Sequence, residues 1–65
     1  MTEQSGTSPL VLVVDDDPGT RMLAAASLRK AGYAAAEAAD GDDGVAAFER
    51  LRPDLVLLDV VMPRM

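Results

Sequence analysis

The sequence has no cysteine, no histidine and no tryptophan, and its only aromatic residues are Tyr33 and Phe48. Without cysteine there is no disulfide to staple a small fold and no CxxC-type metal motif. Nothing in it suggests an oxidising compartment. Long apolar runs are missing too. The aliphatic runs Leu10–Val14 and Leu55–Leu58 fall far below the roughly 20 residues that a membrane-spanning helix needs. The stretch Met1 to Ser8 carries Glu3 and no Lys or Arg, the wrong pattern for a secretory signal. The expectation is a cytoplasmic protein without membrane contact. Positive charge is scarce: six Lys and Arg face eleven Asp and Glu, a formal net charge of −5. That balance argues against a nucleic-acid-binding surface in this segment, because phosphate backbones attract Lys and Arg. With 65 residues the chain makes at most one small domain. A chain that short buries only about 60% of the surface its unfolded form exposes, so marginal stability is expected. Many alanines and few large side chains point to close helix packing over a thin core.

Met1 to Pro9 is polar and without periodicity, and reads as a flexible leader over residues 1–9. Leu10-Val11-Leu12-Val13-Val14 is an unbroken aliphatic and β-branched run, the pattern of a strand buried on both faces of a parallel sheet. It stops at Asp15-Asp16-Asp17, and Pro18 follows. A capping carboxylate at Asp17 and a proline at the first helical position predict a helix from there to about Ala31. Ala24, Leu28 and Ala31 share one face of it, with Leu23 beside them. Arg29 and Lys30 suit the helix dipole in the last turn, and Gly32 suits the position just past the end. Tyr33 to Ala38 is expected as a second strand, weak in propensity because of its alanines. Asp40-Gly41-Asp42 signals a turn, and Asp42 and Asp43 favour the first turn of a second helix. That helix is predicted to end near Leu51, burying Val45, Phe48 and Leu51, with Pro53 forbidding continuation. Leu55 to Leu58 is a third buried strand, running into Asp59. The order β-α-β-α-β with short connections predicts parallel strands. In such sheets the functional crevice lies beyond the carboxyl ends of the strands.

Asp15 and Asp16 end the first strand and Asp59 ends the third. If those strands are neighbours, all three carboxylates converge on one edge of the sheet. Clustered carboxylates repel one another unless a cation compensates. A hard divalent ion with oxygen ligands, Mg²⁺ above all, fits that set. The bland reading, that aspartates merely end strands and cap helices, is preferred for Asp17. It accounts poorly for two separate strands that both end in acids after purely aliphatic runs. Met62 reads as a packing residue, as do Phe48 and Tyr33.

These residues carry a resemblance. Leu12-Val13-Val14-Asp15-Asp16 resembles the acidic-pair strand of response-regulator receiver domains, the signalling modules of two-component systems. Asp40-Gly41 resembles the start of their second helix. Pro53-Asp54-Leu55-Val56-Leu57-Leu58-Asp59, followed by Val60-Val61-Met62-Pro63, is similar to their phosphoacceptor strand and loop. The likeness covers Leu10 to Met65. It implies an α/β, flavodoxin-like (CheY-like), doubly wound parallel sheet, truncated here to β-α-β-α-β, with residues 10–65 as the N-terminal half of the domain. It further implies that Asp59 accepts a phosphoryl group from a phosphohistidine on a histidine kinase or phosphotransfer protein. Asp16 would hold Mg²⁺ directly, Asp15 mainly through water, and the backbone carbonyl of Val61 would be a further ligand. Pro63 would shape the loop after Asp59. The module so implied is a signalling phosphoprotein rather than an enzyme.

Receiver domains continue for two more β-α units, which supply a Ser or Thr and a Lys that contact the phosphoryl group. Lys30, the only lysine, sits at the wrong end of its helix to substitute. An exposed sheet edge is therefore expected beside the third strand, open to self-association. Two alternatives accompany this reading. Asp15-Asp16-Asp17-Pro18-Gly19-Thr20 resembles the D-x-D-x-T loop of haloacid-dehalogenase-like phosphatases, although the threonine stands one position too far along. The other alternative is a half-domain that takes up no phosphate and self-associates through its open edge.

Overall fold

The computed structural model describes residues 8–58. Strand β1 spans Leu10–Val14, helix α1 Pro18–Lys30, strand β2 Ala34–Ala38, helix α2 Gly41–Leu51 and strand β3 Leu55–Leu58. All pairing is parallel, in the order β2-β1-β3. Val14, the last residue of β1, stands opposite Ala38 on one side and Leu58 on the other. The β-α-β-α-β order and the parallel sheet are those expected of a receiver-type fold.

The unbroken aliphatic run of β1 makes it the central strand. Val11, Leu12 and Val13 are almost completely buried, and Val14 nearly so. Leu12 and Val14 alternate onto one face, where they join Ala38 and Ala47 of α2. Val11 and Val13 take the opposite face by the two-residue period of a strand. Pro9, at the end of the leader span, lends its carbonyl to the Ala34 amide at 2.9 Å. At the start of β3, Asp54 and Leu10 bond reciprocally: the Leu10 amide donates to Asp54 Oδ2 at 2.7 Å, and the Asp54 amide to the Leu10 carbonyl at 2.8 Å. That exchange sets the β1–β3 register.

Helix α1 begins and ends on its sequence signals. Asp17 is the N-cap and Pro18 follows it. Beyond the C-cap at Ala31, Gly32 has φ 101°. The Tyr33 amide reaches the Leu28 carbonyl at 3.0 Å and the Gly32 amide the Arg29 carbonyl at 3.1 Å. These two bonds form the Schellman closure that a glycine at this position permits. The buried face is a correction to the sequence reading. Ala25 is the fully buried residue, flanked by half-buried Arg21, Ala24 and Leu28, whereas Leu23 and Ala31 are exposed. Strand β2 starts at Ala34, so Tyr33 belongs to the turn and remains exposed.

Helix α2 is capped by Asp40, whose Oδ1 accepts the Asp43 amide at 2.8 Å. It closes at Arg52, which adopts left-handed backbone with φ 52°. The residues it buries are Gly44 and Ala47; Val45, Phe48 and Leu51, expected inside, are 60%, 47% and 38% exposed. The reason is the close approach of α2 to β1. A Cβ added at Gly44 would stand 3.1 Å from Val14 Cγ2, so only the smallest side chains fit between helix and strand. Val45 and Phe48 instead flank an apolar groove whose far wall is Val56 and Leu58. Both helices pack on β1 and β2, and among the described residues neither packs on β3. Leu55, Leu57 and Leu58 are consequently exposed, against the buried third strand expected from their pattern. No helix among the described residues is long and apolar enough to cross a membrane.

Candidate functional site

The carboxyl ends of β1 and β3 lie side by side. Leu58 is paired with Val14. In the sequence Asp59 follows Leu58 and Asp15 follows Val14. Asp59 and Val61, together with Met62 and Pro63, lie outside the described residues. Asp15 is placed firmly. Its amide donates to the Ala38 carbonyl at 3.1 Å, which continues the β1–β2 ladder one residue past the strand. Asp15 is the one buried charged residue among the described residues, 6% exposed. A carboxylate that buried needs donors or a cation around it. Asp15 Oδ1 accepts the Asp17 amide at 2.9 Å, and no second donor from the described residues reaches the group. Asp16, next to it, is exposed. Among the described residues no ion pair engages either acid.

Asp17 has a different occupation. Its Oδ2 accepts the Thr20 amide at 2.8 Å, as an N-cap should. Hydrogen bonds from the Thr20 hydroxyl and amide hold its carboxyl below the ordinary carboxylate range, and the Arg21 charge adds to the effect. The capping role assigned from sequence is therefore the one the structure shows.

One participant escapes sequence reasoning. Arg21 Nη1 donates to the Asp15 carbonyl at 2.9 Å, and its Nε to Glu37 Oε1 at 3.3 Å. Glu37 is also 3.9 Å from Arg29 Nη2. The available signals were a cation near the start of α1, where the helix dipole disfavours positive charge, and a lone glutamate in an otherwise alanine strand.

The donor set fits a hard divalent cation. A buried carboxylate with spare acceptor capacity stands beside a second, exposed carboxylate at the sheet's carboxyl edge, and the sequence contains no histidine or cysteine to favour a softer metal. Among the described residues, no group of three such ligands is assembled; the third expected acid is Asp59.

A parallel α/β fold with paired acids past its central strand defines a class of strand-end acidic sites, and the sequence comparison narrows that class to one family. Residues 11–65 match the response regulator receiver domain family, and the chain belongs to it. It is similar to the DNA-binding dual master transcriptional regulator RpaA of Synechocystis sp., with 41% identity over 56 residues, covering 86% of this chain and 23% of that protein. The probable transcriptional regulatory protein TcrX of Mycobacterium tuberculosis is 42% identical over 65 residues, covering 100% of this chain and 28% of that protein. The chemotaxis protein CheY of Thermotoga maritima is 43% identical over 56 residues, covering 85% of this chain and 47% of that protein. The chain thus spans about a quarter of the length of the first two relatives.

Proposed function

We propose that this receiver-domain chain accepts a phosphoryl group on Asp59 from a phosphohistidine of a histidine kinase or phosphotransfer protein, with Mg²⁺ held at Asp15, Asp16, Asp59 and the Val61 carbonyl. The observation that carries the reading is the pairing of Val14 with Leu58. It sets the residues preceding Asp15 and Asp59 side by side at the carboxyl edge, where Asp15 is buried. In the step proposed, an Asp59 carboxylate oxygen bonds to phosphorus as the donor's P–N bond breaks, and the departing imidazole takes up a proton. The product is an acyl phosphate, and the chain is the acceptor rather than an enzyme turning over a substrate. Mg²⁺ would supply compensation for the charge shared by the carboxylates and the incoming phosphoryl oxygens.

The test is phosphate uptake from a small acyl-phosphate donor, with Mg²⁺ present. Uptake of hydroxylamine-labile phosphate that disappears in Asp59→Asn is expected. Unchanged uptake in that variant would place the nucleophile elsewhere.

A specific observation favours a second reading beside the first, in which two copies associate through β3. The two sheet edges differ. Along β2, Arg29 Nη2 donates to the Ala35 carbonyl at 3.0 Å and Glu37 adds a charge, both of which obstruct pairing. Among the described residues β3 is paired on one side only and carries no charge, with three exposed leucines. Such an edge templates strand addition.

A further inference from the structure

Arg21 joins three elements at the acidic end of the sheet. From α1 it donates through Nη1 to the backbone carbonyl of Asp15 at 2.9 Å, and through Nε to Glu37 Oε1 of β2 at 3.3 Å. Its side chain is only 20% exposed. The Asp15 amide is already committed to the Ala38 carbonyl. Both backbone polar groups of Asp15 are therefore held, one by β2 and the other by α1. The guanidinium meets the carbonyl, not the carboxylate, so the Asp15 oxygens keep their capacity for a cation. Its planar fork allows donation to two acceptors in fixed directions, which a lysine ammonium does not reproduce.

We infer that Arg21 is a positioning residue for the divalent-cation site: acting through the Asp15 carbonyl, and braced by Glu37, it fixes the direction in which the Asp15 carboxylate is presented. The inference rests on the reading that Asp15 and Asp16 hold Mg²⁺. Two effects of Arg21 on that ion oppose each other. Its positive charge repels an approaching cation, whereas the fixed backbone removes reorientation of the ligand on binding. Positioning is the larger effect. The charge is offset by Glu37, whose Oε1 lies 3.3 Å from Arg21 Nε, while residues that orient metal ligands typically control about 10–100-fold in affinity.

Replacement by lysine separates the two, because charge is retained and the fork is lost. The experiment is a Mg²⁺ titration of the 65-residue chain, followed by amide NMR shifts, with a urea midpoint recorded for every variant. Arg21→Lys is expected to weaken Mg²⁺ about tenfold, the low end of that range because the contact is to the carbonyl. Arg21→Met is expected to weaken it slightly less, since the repulsion is also gone. Glu37→Gln, which loosens the brace, gives a smaller loss in the same direction. Arg29→Lys alters the same flank without touching Asp15 and leaves Mg²⁺ affinity unchanged, whatever it does to the urea midpoint. Parental affinity in both Arg21 variants would overturn the inference and leave the Mg²⁺ reading standing. So would tighter binding in Arg21→Met with no change in Arg21→Lys, for Arg21 would then act as charge alone. Absence of saturable binding by the unsubstituted chain would overturn the metal reading and the inference together. If Arg21→Met does not fold, Arg21→Lys and Glu37→Gln decide the matter, and parental affinity in both overturns it.

Discussion

Replacing Gly44 with alanine sets two effects against each other at one atom. Gly44 lies inside α2, where alanine is favoured over glycine by about 0.8–1.0 kcal/mol of helix propensity. The added Cβ, however, would stand 3.1 Å from Val14 Cγ2 and 3.4 Å from Cγ1. Carbon atoms prefer a separation of about 3.5–4.0 Å, so the contact must open by about 0.4 Å or more. Val14 is poorly placed to give way. Its strand is paired on both sides, and its β-branched side chain is stiff at χ1. The helix must lift instead, which also loosens Ala47, the other residue it buries. Overpacking of this kind costs about 1–3 kcal/mol. Set against the propensity gain, the net result is destabilisation by about 0–2 kcal/mol. Gly41 is the control. It lies in the same helix with no atom within 4 Å of an added Cβ, so Gly41→Ala stabilises by up to about 1 kcal/mol. The assay is urea unfolding followed by far-ultraviolet circular dichroism, with trimethylamine oxide in all samples to keep a marginal fold populated. With a slope of about 1 kcal/mol per molar urea, the Gly44→Ala midpoint should fall below that of Gly41→Ala, by up to about 3 M. Equal stabilisation by both variants would refute the tight α2–β1 approach described above.

The depressed Asp17 carboxyl makes its cap pH-dependent. A group held below its unfolded value of about 3.9 contributes stability that is complete above that pH and is lost as pH falls through the folded value. Asp17→Ala should therefore be less stable than the parent at neutral pH, with the gap closing below about pH 4; a gap that does not change with pH would contradict the Thr20-bonded carboxylate. If β3 takes a second copy, sedimentation should show concentration-dependent association. It should be strengthened by salt, because each copy carries a net charge of −5. Leu57→Lys should suppress it, and a monomer at every concentration and salt level would dismiss the second reading.

Much of the fold was legible because its signals are local. The unbroken run Leu10–Val14 announces a strand buried on both faces. Asp17 with Pro18 and Gly32 at φ 101° mark the two ends of α1 through capping geometry that acts within one turn. The acidic pair after β1 was legible for the same reason, as charges where an apolar run stops. Whether β1 and β3 are neighbours was left open by the β-α-β-α-β order, and the sheet order β2-β1-β3, with Val14 opposite Leu58, decides it. Asp59 and Val61, read from sequence as acceptor and ligand, lie outside the described residues.

What only the tertiary structure decided is which faces approach, and how closely. Apolar spacing selected Leu23 on α1 and Val45 and Phe48 on α2, yet the structure buries Ala25, Gly44 and Ala47. Periodicity records which residues could be buried. The distance between helix and sheet selects among them, and where a Cβ added at Gly44 would stand 3.1 Å from Val14 Cγ2 it selects the smallest. The bonds from Arg21 to Asp15 and Glu37 likewise cross three elements. No local pattern encodes them, because the partners become neighbours only when α1 and β2 are laid beside the end of β1. Local chemistry therefore determined where the elements begin, where they end and which residues are acidic. The close packing of small residues determined which side chains face one another at the site.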